Sequence, residues 1–197
     1  MKSANSIPIA VAAAFLAISA AYSMTPPQPA ANGLWQKTDE QTGAPVGWFL
    51  FVERGGLYEG VIAKLFRRPG DPENPICSSC RDDRKDQPLL GLALIRNMQR
   101  DGLVYQGGNI VDPRDGNIYS AMMTVSPDGS TLTVRGYLGI ALFGRDEIWH
   151  RLPETAVRQL DPTIVAHYMP GAVKPGFPMT ASRSQDKAAA RAANAVH

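Results

Sequence analysis

Hydrophobic and polar residues alternate with a period of two over short runs of this chain, and turn residues interrupt the alternation about every ten positions. The pattern is plainest from Thr131 to Leu152. Thr131 to Val134 alternate, Arg135-Gly136-Tyr137 carries the run into a bend, and Gly139 to Gly144 crosses without a polar side chain. Asp146 to Leu152 then alternates again. A closing hairpin of this kind needs an opening strand, and Gly33-Leu34-Trp35 supplies one. Val46 to Arg54 is aromatic-rich, Gly55-Gly56 marks a two-residue hairpin, and Leu57 to Phe66 returns. In that return Leu57, Glu59, Val61, Ala63 and Leu65 share one face, and Tyr58, Gly60, Ile62 and Lys64 the other. Gly60 in mid-strand predicts a bulge or a tight barrel corner. Gly102–Val111, Asn117–Ser126 and Ser130–Tyr137 are further strands. Leu89–Met98 is open between a short helix and a buried strand; counted as a strand, it brings the total to about eight. No long stretch has a helical period. The expected fold is all-β, an eight-stranded antiparallel up-and-down barrel, with room for one small ligand or for an interior filled by side chains.

The rhythm breaks at both termini and once inside. Residues 1–23 read as a secretory signal peptide, with Lys2, an apolar run from Ile7 to Ile18 and Ala21-Tyr22-Ser23 at the cleavage site. An uncleaved anchor is the alternative, against which the apolar run falls short of the roughly 20 residues that a spanning helix needs. Residues 24–31 are a Pro-rich lead-in, 32–152 the barrel, and 153–197 an Ala- and Pro-rich tail expected to be mostly disordered, with a helix at most from Ser182 onward. Export places the protein in the periplasm, and no later segment could span a membrane as a helix. Arg67 to Pro88, long, charged and proline-punctuated, is the one internal interruption. The chain holds 20 Lys+Arg against 18 Asp+Glu with the signs interspersed, which offers no stripe for phosphate backbones and argues against nucleic acid.

Candidate chemistry is sparse. Cys77 and Cys80 lie in the long loop, where a structural disulfide is expected outside the cytoplasm. A redox-active pair would want a thioredoxin-like context, and a zinc site two more ligands, which His150, His167 and His197 do not supply at metal spacing. No G-x-S-x-G motif occurs, and His150 is the one histidine of the barrel region. The adjacent carboxylates Asp82-Asp83 and Asp146-Glu147 point to opposite faces if extended, so they cannot share a substrate proton. No metal, cofactor or catalytic residue is therefore expected. Arg135 and Tyr137 share one face; facing inward, they would hold a carboxylate or phosphate head group beside aromatic residues such as Trp48 and Tyr119. Facing outward, or plugging a barrel end, Arg135 is structural.

Gly107-Gly108-Asn109-Ile110-Val111-Asp112-Pro113, Gly116, Tyr119, Leu132-x-Val134-Arg135-Gly136-Tyr137, Leu142-Phe143-Gly144-Arg145 and Trp149-x-Arg151 form an ordered set of motifs. With Gly33-x-Trp35 and Gly91-Leu92, that set resembles the uncharacterised bacterial exported family numbered 2147 among domains of unknown function, over about 32–152. The resemblance implies a periplasmic protein with a lipocalin-like barrel and no established activity. Gly33-x-Trp35 with a late arginine is also similar to lipocalins, in which the Trp closes one barrel end and the Arg stacks on it; Arg151 fills that role here, with Arg135 as the alternative. Two functions follow as expectations. One is a non-enzymatic carrier of a small apolar or amphipathic molecule. The other is an envelope interaction module with a filled barrel that engages a protein partner through the loop 67–88.

Overall fold

A computed structural model of the chain describes residues 27–172, so the leader and the helix expected from Ser182 lie outside the described residues. The alternating runs form eight strands: β1 (Gly33–Thr38), β2 (Pro45–Arg54), β3 (Leu57–Leu65), β4 (Ala93–Asp101), β5 (Val104–Val111), β6 (Ile118–Val125), β7 (Thr131–Tyr137) and β8 (Arg145–Arg151). Each pairs antiparallel with the next, and β1 pairs with β8 through Trp35↔Arg151, Gln36↔His150 and Lys37↔Trp149, which closes the barrel. The ambiguous segment Leu89–Met98 resolves late. Its first residues belong to the loop, because the Leu89 and Gly91 amides donate to Pro75 and Ile62 carbonyls, and the strand starts only at Ala93.

Side chains fill the barrel. Trp35, Phe49, Phe51, Tyr58, Ile95, Met98, Tyr105, Met123, Leu132 and Trp149 belong to one buried cluster. Phe49 stacks on Trp149 with centroids 4.1 Å apart, and Tyr58 meets Tyr105 edge-on at 4.8 Å. Gly60 sits where the strand register shifts, as its mid-strand position predicts. The reason is space: a Cβ there would come within 2.7 Å of the Phe51 ring.

A second buried cluster lies on the outside. Leu34, Trp48, Leu50, Val61, Ala63 and Ala93 turn outward from β1–β4 and are covered by Ala156, Leu160 and Ile164. The expectation of a disordered tail is thus corrected for residues 153–172. A 3-10 turn (Glu154–Gln159) leads into a short helix, α1 (Pro162–Tyr168), which Asp161 caps by accepting from the Thr163 amide and Pro162 opens. Ala156, Leu160 and Ile164, four residues apart, supply the apolar edge that composition alone hid.

Candidate functional site

The two barrel ends are built differently. At the closed end, with the β2–β3, β4–β5 and β6–β7 turns, the lead-in folds across the opening. The Trp35 indole, fully buried, donates to the Ala31 carbonyl at 2.7 Å, and the Ala31 amide donates to the Tyr105 hydroxyl at 2.8 Å. The Arg151 guanidinium lies 4.0 Å from the Trp35 ring centre and donates to the carbonyls of Ala30 and Asn32 at 2.6 and 2.8 Å, and to that of Gly129. Burial lowers the pKa of Arg151 from its ordinary value, and the three carbonyls take its donors. Arg100 holds the same segment through the carbonyls of Gln28 and Pro29.

At the other end the loop between β3 and β4 turns inward as a plug. Cys77 and Cys80 form a disulfide and belong to the interior cluster, so the expected structural bridge is present. The Ser79 carbonyl packs so closely on Gly116 that a Cβ there would stand 1.7 Å from it, at a φ of +74° that favours glycine in any case. Arg84, 1% exposed, anchors the returning chain; it forks onto Asp82 at 2.7–3.1 Å and donates to the carbonyls of Ala93 and Leu94. That contact holds the Asp82 carboxyl below the usual range. Beside the plug, Lys37 and Glu147 form an ion pair on the inward side, and Trp149 donates to Glu147 at 3.2 Å. The sequence singles out neither Lys37 nor Arg84, and it marks Glu147 only as the neighbour of Asp146 in a pair of adjacent carboxylates. Parity could have found Lys37 and Glu147, each two residues from a buried tryptophan.

The proposed ligand residues are not brought together. Leu132 and Val134 face the interior, so Arg135 and Tyr137 point outward, correcting the inward reading. Arg135 instead forks onto Asp146 at 2.5 and 2.6 Å and donates to the Ala141 carbonyl at 3.1 Å, clamping the β7–β8 loop. The pair lowers the pKa of Asp146 and raises that of Arg135. Trp48 is also outward, under the C-terminal segment, because β2 is an alternating strand whose inward positions are Phe49 and Phe51; its indole donates to Gln36 and the Lys64 ammonium lies 4.4 Å from its ring. Tyr119 alone has the inward parity of Ala121 and Met123, and its hydroxyl turns to Asp115 at the rim. His150 is exposed.

Clefts lie outside the barrel wall. One of about 500 Å³ between β4, the long loop and α1 is lined by Arg54, Arg84, Arg96, Asp83 and Tyr168; Arg96 is spent on Asp83 at 2.8 Å and Arg54 on the Tyr168 ring. Another of about 260 Å³ sits over Met122, Thr133 and Arg135. Among the described residues no group of three or more His, Cys, Asp or Glu could hold a metal ion, and no helix is long and apolar enough to cross a membrane.

A closed eight-stranded antiparallel barrel with a Trp–Arg stack under one end defines a lipocalin-like fold. A solved structure of the same architecture is protein HP1028 from Helicobacter pylori, described as belonging to the lipocalin family; it matches with a TM-score of 0.57 at 15% identity, over 68% of this chain and 91% of that one. The chain belongs to the family described as "uncharacterized protein conserved in bacteria (DUF2147)", whose model matches residues 33–151. No curated protein matches it.

Proposed function

We propose that the protein is an exported, non-enzymatic interaction module of the bacterial envelope, with a barrel that works as a rigid scaffold and contacts made by its outer surface. The filled interior carries this reading: Trp35, Phe51, Met98, Tyr105, Met123, Leu132 and Trp149 are at most 1% exposed and occupy the space that a cargo would need. The leader at 1–23 supports the periplasm as its place of work. The lack of a nucleophile motif in the sequence supports a binding role over a catalytic one. A second reading, a carrier of a small apolar or amphipathic molecule, draws support from the likeness to HP1028, and it requires the plug 66–92 to lift and interior side chains to repack.

Native mass spectrometry of protein purified gently from the periplasm separates the two. A bare protein mass that stays bare after incubation with a periplasmic lipid extract is expected. A discrete added mass that extracts into organic solvent would replace the module reading with the carrier.

A further inference from the structure

We infer that the β7–β8 loop is a membrane-contact element that seats the barrel on an anionic lipid surface. The inference rests on the interaction-module reading and names the partner of its exposed end. From Leu138 to Gly144 the chain carries no polar side chain, yet Leu138, Ile140, Leu142 and Phe143 are 68%, 58%, 76% and 80% exposed. Ile118, 43% exposed, lies beside them, because Ser120, two residues on, pairs with Tyr137. Contiguous apolar exposure of this kind marks a contact surface.

The loop is held open, and the charge at its base favours lipid over protein as the occupant. Its one 3-10 turn (Ala141–Phe143) buries none of its residues. Two amides bond within the turn, that of Phe143 to the Ile140 carbonyl and that of Gly144 to the Ala141 carbonyl, and the Ala141 carbonyl also accepts from Arg135, which fixes the turn while its apolar side chains stay in solvent. Charge at its base is suited to phosphate. Arg135 and Asp146 neutralise each other, which leaves exposed Arg145 as the net cation directly behind the apolar residues. Arg135 is therefore a positioning residue: its stem packs against Gly144, where a Cβ would come within 2.7 Å of Arg135 Cγ, and its head fixes the turn.

The test uses the full chain carrying Phe143→Trp and vesicles of phosphatidylethanolamine and phosphatidylglycerol brominated on the acyl chains. Trp35, Trp48 and Trp149 are at most 6% exposed, so the new indole reports the loop alone, whatever else on the chain touches lipid. A blue shift and quenching in Phe143→Trp, with the parent chain unchanged, are expected. Adding Leu142→Asp should weaken the loop's partitioning about tenfold or more without altering the melting temperature. Unchanged emission on vesicles overturns the inference. So does self-association that Leu142→Asp abolishes while vesicles have no effect, since the surface would then belong to a second copy. Neither result changes the protein's native mass for bound cargo, so failure of the loop inference stays distinct from failure of the module reading.

Discussion

Phe51 and Gly60 offer a direct measure of how tightly the barrel interior is packed. Phe51 is 1% exposed and lies against Trp149 with centroids 6.2 Å apart. Removing it as Phe51→Ala should cost about 3–5 kcal/mol, the usual range for a buried phenyl, and lower the melting temperature by roughly 6–20 °C in a domain of this size. Gly60→Ala alone should also destabilise. The added Cβ would stand 2.7 Å from Cε1 and Cζ of Phe51, and overpacking of this kind costs about 1–3 kcal/mol. Gly60 lies in a strand with no positive φ, so alanine itself is conformationally acceptable there and gains about 0.4–1 kcal/mol through the unfolded chain. With the phenyl gone the clash goes too, and the same methyl should become neutral or stabilising. Equilibrium urea unfolding of the two single variants and the double variant gives the coupling, expected at about 1.5 kcal/mol or more in favour of the double variant. Additivity within about 0.5 kcal/mol, or a Phe51→Ala loss below about 1 kcal/mol, would refute the filled interior and revive the carrier.

Asp82→Asn should destabilise by about 3 kcal/mol by leaving the buried Arg84 without its counter-charge. Because Arg84 holds the folded carboxyl below its unfolded value near 4, the pair's stability is fully present above that value and is lost as the pH falls through the lower, folded one, so chemical denaturation of variant and parent should converge in acid. Replacing Cys77 and Cys80 by serine should cost about 2 kcal/mol, and reduction of the native protein by dithiothreitol should be slow because the two residues are 0% and 2% exposed; rapid native-state reduction would show that the plug is loose. Arg151→Ala should release the lead-in and speed amide exchange and proteolysis around residues 28–33, and Arg151→Lys should not rescue it, since one ammonium cannot replace a fork that serves three carbonyls and a ring.

The strands were legible because half-buried β-structure writes its geometry into the sequence with a period of two. Gly60 was legible for the same reason, a residue without a side chain at a position that alternation marks as inward. The direction of a strand's faces was legible in principle: Leu132 and Val134 are the apolar set of β7, so Arg135 and Tyr137 had to lie on the other side, and an inward Arg135 would have exposed both aliphatic residues. Trp48 misled because β2 is apolar on both faces, one toward the barrel and one toward the C-terminal strap, and such a strand has no polar parity to read. The strap itself was masked by composition. Its apolar positions 156, 160 and 164 are spread through Pro- and charge-containing sequence, and only the outward apolar face of β1–β4 creates a demand for them. Arg84 escaped notice because its burial depends on a loop path set by the Cys77–Cys80 bridge and by the close approach to Gly116, neither of which leaves a local signal.

The distribution of apolar surface is what gives the β7–β8 loop its meaning. Where the outer face of the barrel is apolar, on β1–β4, the chain provides cover by laying Ala156, Leu160 and Ile164 over it. Where no strap lies, on β6–β8, the outward residues include Thr124, Thr133, Arg135 and Asp146, which water satisfies. Leu138, Ile140, Leu142 and Phe143 fit neither arrangement. The mouth beside them is taken by the disulfide plug, and deeper in the barrel Phe49 stacks on Trp149. The four loop residues are not slack: a forked arginine–aspartate pair and a backbone-bonded turn hold them. Apolar side chains fixed in water are a liability, and this chain gathers four of them, the most exposed among its described large hydrophobic residues, in one short loop. A permanent cost of that kind is what a contact that buries the loop in the protein's working state would offset, and lipid is the contact we propose.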